Sequence, residues 1–168
     1  MVEMKKLILM RHAEAPHDSS IGDDFLRALS SHGEMQAEES AEYLIDNSIK
    51  IHKILCSPSL RTKQTLEIMQ NSGITVSTIE FCDEIYRTSE DQIIEIIKDQ
   101  SESCSVILVL GHNPTISYTY FAAIDDYNLS HFSPAACAVL YYDTSVAWRD
   151  IFSNTPIKKT FFIPRGGL

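Results

Sequence analysis

Two arginines and two histidines in this chain stand where apolar runs break off. Leu7-Ile8-Leu9-Met10 stops at Arg11-His12-Ala13-Glu14. Lys53-Ile54-Leu55-Cys56 gives way to Ser57-Pro58-Ser59-Leu60-Arg61-Thr62, and Val106-Ile107-Leu108-Val109-Leu110 gives way to Gly111-His112-Asn113-Pro114. A single arginine or histidine at such an end ordinarily just faces water. Three endings of this kind in one chain are a different matter. In sheets with parallel strands, ligands gather at the carboxyl ends of the strands. If the three runs are neighbouring strands, Arg11, His12, Arg61 and His112 converge on one pocket.

The residue types say what that pocket would hold. Arg61 falls in the first turn of the helix that Ser57 and Pro58 open, where a cation opposes the helix dipole. An anion between them reverses that cost, because free N–H groups and the guanidinium then both point at it. Several cationic or hydrogen-bonding groups around one point suit a phosphoryl group, with its three oxygens and spread charge. A neutral imidazole among arginines has a depressed pKa and a free lone pair, which makes it a candidate nucleophile.

The elements that must position these groups alternate. Lys6 to Met10 reads as a strand, Gly33 to Asn47 as a helix with Ala37, Ala41, Leu44 and Ile45 on one stripe, and Lys53 to Cys56 as a short strand. Ser57 to Gln70 reads as a helix with Ser57 as N-cap and Pro58 at its first position. Ile74 to Ile79 is a weak strand. Ser89 to Asp99 is a helix with Ser89 and Gln92 as a capping box. Ser105 to Leu110 is a β-branched and leucine run that reads as a strand buried on both faces. Asn113-Pro114 opens a helix to about Ala123. Ala136 to Tyr142, Ala147 to Phe152 and Lys158 to Ile163 read as late strands. The fold class expected is α/β: a three-layer α/β/α arrangement, its central sheet mostly parallel with an antiparallel edge.

Composition narrows the function. A chain of 168 residues fits one domain, taken as 1–168. With 14 Lys+Arg against 23 Asp+Glu and a net charge of -9, a duplex-binding face is not expected, so no nucleic-acid partner is assigned. Any attraction for an anion must be local. No apolar run is long enough to span a membrane, and four clean apolar residues before Arg11 are too few for a signal peptide. A cytoplasmic location and no membrane partner are expected. Cys56, Cys82, Cys104 and Cys137 are scattered, which disfavours a disulfide framework or zinc knuckle. No heptad repeat suggests an obligate oligomer, so a monomer is expected.

The three segments together resemble the histidine phosphatase superfamily, the phosphoglycerate mutase-like fold. Arg11-His12-Ala13 matches its R-H-G signature, Ser57 to Thr65 its S-P-x-x-R-x-x-Q-T segment, and Gly111-His112-Asn113-Pro114 its G-H-N-P turn. Asp24-Phe25-Leu26-Arg27-Ala28-Leu29-Ser30-Ser31-His32-Gly33 resembles the D-x-x-R-x-L-x-x-x-G segment of the SixA-like phosphohistidine phosphatase branch. The resemblance runs from residue 5 to about 120. It implies that His12 attacks phosphorus and carries the phosphoryl group. Arg11, Arg61 and His112 then hold the equatorial oxygens, and water releases phosphate. It implies no metal and no cofactor. Ala13 replaces the family's glycine and is tolerated unless the position needs φ > 0.

Family members that cleave esters carry an acid for the leaving oxygen. Glu84, in Phe81-Cys82-Asp83-Glu84-Ile85-Tyr86, is the candidate, although Glu84 and Asp83 read equally as surface carboxylates. The SixA-like branch is associated with a weak or absent acid, since a histidine nitrogen leaves phosphorus more easily than an alkoxide. Arg27 is a further candidate for the phosphate or a protein partner, or else a surface arginine paired with Asp23 or Asp24. His17 and Asp18 are candidates for the mouth of the pocket. His32, His52 and His131 read as structural or exposed. Tyr127, His131, Phe132, Tyr141 and Tyr142 read as core rather than partner surface.

The expected partner is a phosphorylated protein bearing phosphohistidine. The alternatives are a small phosphate ester turned over on the same fold, or a non-catalytic phosphoprotein-binding module. A short chain without large insertions predicts an open, shallow pocket, which suits a phosphate displayed on a protein. A cysteine phosphatase would need five residues between cysteine and arginine, whereas Cys56–Arg61 and Cys82–Arg87 each have four. A His/Cys metal site also fits poorly, as His12 and His17 lack helical spacing.

Overall fold

A computed structural model of the chain describes residues 3–18, 20 and 22–165. The sheet has six strands: β1 (Lys5–Arg11), β2 (Ile51–Cys56), β3 (Val76–Phe81), β4 (Val106–Gly111), β5 (Cys137–Tyr142) and β6 (Lys158–Phe162), in the order β3-β2-β4-β1-β5-β6. β3, β2, β4 and β1 run parallel, and β5 is antiparallel to β1 and to β6. The mostly parallel sheet with an antiparallel edge is as expected.

Alternation along β1 sends its side chains to two cores. Leu7 and Leu9 pack with Ile107 and Val109 against Ile93 and Ile97 of α4 (Glu90–Lys98) and Ile116 and Phe121 of α5 (Thr115–Ile124). Ile8 and Met10 pack with Leu108 and Leu110 against Ala37, Ala41 and Leu44 of α1 (Ser31–Asp46) and Leu66 and Met69 of α2 (Leu60–Asn71). A short helix, α3 (Asp83–Tyr86), follows β3. Every residue of β4 is buried, as its apolar run requires of a central strand covered on both faces.

Three local expectations change. Ala147 to Phe152 is not a strand but a 3-10 helix, Trp148–Ser153. Its buried residues, Trp148 and Ile151, are three apart, the 3-10 repeat. Trp148 is fixed there by its indole N–H donating to the Cys104 carbonyl at 2.7 Å and by the Lys5 ammonium over its ring. The N-cap of α2 is Ser59, not Ser57, which leaves the Ser57 hydroxyl for another partner. Ser89 does cap α4 in position, but without a side-chain hydrogen bond; Gln92 pairs instead with the Thr88 hydroxyl.

In the tail, Phe132 and Tyr142 enter the core while Tyr127 and His131 stay exposed. Among the described residues no helix is long and apolar enough to cross a membrane.

Candidate active site

The strand order makes β2, β4 and β1 neighbours, so the three polar endings meet. Arg11 pairs with Gly111 across β1 and β4, and Cys56 with Leu110 across β2 and β4. His12 and His112 follow directly, with ring centroids 5.2 Å apart. Arg11, His12, Arg27, Arg61 and His112 line one cavity of about 360 Å³. A separate cleft, lined by Glu39, Glu42, Asp46 and Arg165, is too acidic to favour an anion.

His12 is locked from several sides. Its N–H donates to the Gly111 carbonyl at 3.0 Å, and its own carbonyl accepts from Ala135 at 3.0 Å. Its Nδ1 lies 2.6 Å from the Ala13 carbonyl. A carbonyl only accepts, so Nδ1 carries the proton and Nε2 keeps its lone pair. The Ala13 N–H in turn donates to Thr65 Oγ1 at 3.1 Å, which ties the turn to α2. Burial, together with His112, Arg61 and Arg11, pulls the His12 pKa well below the ordinary histidine value against the raising effect of the Ala13 carbonyl. His12 therefore stands neutral at neutral pH.

The cations around it are held by backbone and by one carboxylate. Arg11 donates from Nη1 to the Phe132 carbonyl at 2.9 Å, and its buried Nε has no partner. Arg61 donates from Nη1 to the Asp24 carbonyl at 2.8 Å and pairs from Nη2 with the Asp24 carboxylate at 3.1 Å; its buried Nε is also without a partner. Arg27 pairs with Asp24 at 3.1 Å and donates to the Ala15 carbonyl. The Tyr86 hydroxyl donates to Asp24 at 2.9 Å, and its ring meets the edge of His112. Burial pulls the Asp24 carboxyl upward, but Tyr86 and the two guanidiniums outweigh it and hold the pKa at about 2. Burial, then repulsion from Arg27 and Arg61, lowers the Arg11 pKa. Desolvated like charges with orphaned N–H groups are the electrostatics of a site built for an anion.

His112 is set by the hydroxyl that the cap of α2 does not use. Ser57 Oγ lies 2.7 Å from His112 Nε2, while the buried Nδ1 has no partner. Burial and Arg61 depress the His112 pKa to about 3 despite the opposing charge of Asp24.

The family description "Histidine phosphatase superfamily (branch 1)" matches residues 7–100, more than half of the chain. The chain belongs to that superfamily. An uncharacterized Mycobacterium leprae protein is 32% identical over 111 residues, covering 64% of this chain and 66% of that protein. Phosphohistidine phosphatase SixA of Escherichia coli is 26% identical over 115 residues, covering 67% of this chain and 70% of its own length. The chain spans just under two thirds of the first curated relatives it matches. The solved structure of a Nakamurella multipartitia protein assigned as phosphohistidine phosphatase SixA is 27% identical and matches with a TM-score of 0.82 over 98% of each chain. Its counterpart from Agrobacterium tumefaciens is 28% identical, with a TM-score of 0.79 over 95% of this chain and 98% of that one. The fold is the phosphoglycerate mutase-like fold.

Measured against the histidine phosphatase signature, Ala13 causes no strain. It is fully buried and is not among the described residues with positive φ. Two expected site residues are not brought in. Asp18 is exposed, accepts from the Ser20 N–H and hydroxyl, and does not line the cavity. Glu84 is exposed on α3 and is also absent from the cavity wall. The physical reason is the facing of α3. The helix reaches the site, but it buries Ile85 and turns the Tyr86 ring to His112, which leaves Glu84 exposed to solvent. Glu84→Gln is therefore expected to leave turnover of esters and of phosphohistidine within about twofold, since an exposed surface substitution away from the chemistry changes little; parallel rate assays check this.

Further residues complete the site. Asp24, the aspartate of the D-x-x-R-x-L segment and read from sequence as one possible partner of Arg27, bridges Arg27, Arg61 and Tyr86. Ser57 positions His112. His17, expected at the mouth of the pocket, lines the cavity, and so does Glu14, which had no expected role. Cys56 does not compete as a nucleophile: burial pushes its thiol up to about 12.

Two buried neutral histidines make stability depend on pH. In an unfolded chain histidine binds a proton below about pH 6.5. In the folded protein His112 stays neutral down to about 3, and His12 is likewise depressed. The unfolded state thus holds more protons in this window. Stability is complete above about pH 6.5 and falls with acidification by about 1.4 kcal/mol per pH unit for each neutral histidine. Urea melts between about pH 4 and 7 are expected to show this slope, reduced in His112→Asn.

Proposed function

We propose that the chain is a phosphatase that acts through a phosphohistidine intermediate on His12, with phosphohistidine on a protein as its substrate. The observation that carries the reading is the pairing of a neutral His12, its Nε2 lone pair free, with three guanidiniums and His112 on one small cavity.

His12 Nε2 attacks phosphorus while the bond to the leaving atom breaks. Arg11, Arg61 and His112 take the equatorial oxygens, where charge accumulates in the transition state. Preorganisation lowers the cost of this step: the guanidiniums are already desolvated and aimed, so little reorganises as charge moves. Arg27 lines the same wall and binds the phosphoryl group or the residue that carries it. Water then attacks the phosphoenzyme and frees phosphate.

The wall of the cavity favours a protein substrate over a metabolite. Apart from its histidines it has, among the described residues, no aromatic and no large aliphatic side chain, only Ala15, Pro16 and Pro134. Small-molecule pockets grip their ligands with apolar and aromatic surface. This wall recognises a phosphoryl group and little else, which suits a phosphate presented by another macromolecule. The SixA names of the relatives point the same way. The test offers the protein a phosphohistidine domain, p-nitrophenyl phosphate and a panel of small phosphate esters side by side. Phosphohistidine is expected to turn over fastest; esters turning over far faster would overturn the substrate assignment. Stable binding of the phosphorylated domain without turnover would instead establish a binding module.

A further inference from the structure

Among the described residues, Glu14 is the only one bearing a carboxylate that lines the catalytic cavity. A negative charge on the wall of an anion site opposes binding, so phosphate recognition alone gives no reason for it. Its position is nevertheless fixed from four directions. The Ser30 hydroxyl donates to its carboxylate at 2.8 Å, and the Gly33 N–H at the start of α1 donates to that same hydroxyl at 2.9 Å. The Glu14 N–H donates to the side chain of the fully buried Gln36 at 2.9 Å. Its carbonyl accepts the Ser30 N–H at 3.0 Å. Gly33 allows the close approach: a Cβ there would lie 2.2 Å from the Glu14 carbonyl oxygen. A carboxylate so firmly placed two residues after His12 has its second oxygen unclaimed by any hydrogen bond among the described residues.

We infer that Glu14 is the general base for the second half of the reaction. This rests on the phosphoenzyme reading above. A water oxygen forms its bond to phosphorus as the bond from His12 Nε2 breaks. The electron pair of that bond returns to Nε2, and the water proton passes to the Glu14 carboxylate, which releases it to solvent. No oxidant, metal or further reactant is needed. The first half needs no such group when the leaving atom is a histidine nitrogen, so Glu14 serves dephosphorylation of the enzyme rather than its phosphorylation.

Glu14→Gln keeps an oxygen acceptor for Ser30 and every backbone bond but removes the base. Single-turnover kinetics with a phosphohistidine domain resolve the two steps. Label is expected to reach His12 at a rate within about threefold of the native protein, while discharge slows by about 100-fold and phosphorylated His12 accumulates. Discharge at the native rate, or both steps slowing equally, would overturn the assignment. Ser30→Ala, which frees the carboxylate from its tether, is expected to slow discharge selectively and to a smaller extent; it also serves if Glu14→Gln proves unstable. Native protein that never carries label on His12 would overturn the phosphoenzyme reading itself, an outcome distinct from label that forms normally and leaves Glu14→Gln unhindered.

Discussion

His12→Ala is expected to lower turnover by at least about 10⁴-fold, because it removes the proposed nucleophile and with it the proposed covalent route. The variant should still fold. The lost side chain is an uncharged ring with one hydrogen bond, to the Ala13 carbonyl, and the surrounding backbone bonds to Gly111 and Ala135 do not involve it. It should also still bind phosphate or tungstate, since Arg11, Arg27, Arg61 and His112 are untouched. Rate assays, a urea melt and an anion titration on the same preparation separate these outcomes. Turnover surviving in a folded His12→Ala protein would mean that water attacks the substrate directly.

Arg61→Ala has the second largest expected effect, a fall in kcat/KM of about 10²- to 10³-fold. Arg61 is proposed to hold a desolvated charge against the transferring group, and it is itself held by both the carbonyl and the carboxylate of Asp24. Its loss also removes a charge that depresses both His12 and His112. The acid destabilisation of the fold should still set in near pH 6.5, where the unfolded histidines protonate, but should level off at a higher pH and be smaller in total than in the native protein, since both folded histidines then bind protons more readily. Arg61→Lys should rescue little, because an ammonium cannot span the Asp24 carbonyl and carboxylate while turning another edge toward phosphate. A lysine variant with near-native kcat/KM would show that only the charge matters.

The parts of this site that could be read from sequence are those tied to periodic elements. β1 and β4 are apolar runs that end sharply, so His12 and His112 were legible as strand-end residues, and the Ser57-Pro58 helix start placed Arg61 in the first turn of α2. The parts that could not be read depend on order and on loops. Nothing in the spacing of Glu84 reveals that α3 turns Tyr86, and not Glu84, toward His112. Glu14 sits in the loop after β1, and Asp24 opens a single 3-10 turn, Asp24–Leu26, too short for a period to constrain direction. Ser57 carried a helix-cap signal, yet the cap fell to Ser59, two residues on, and the freed hydroxyl turned to His112. Ala147 to Phe152 read as a strand because the six-residue stretch is too short to reveal that Trp148 and Ile151 follow the three-residue repeat of a 3-10 helix.

The central claim is that phosphate passes through His12. Mixing the protein with a labelled phosphohistidine domain, quenching at alkaline pH within the first turnover and mapping the label by peptide sequencing tests it most directly. The account predicts label on the His12 imidazole that disappears as free phosphate forms. Label on a cysteine or a carboxylate, or turnover with no labelled enzyme at any time, would contradict it.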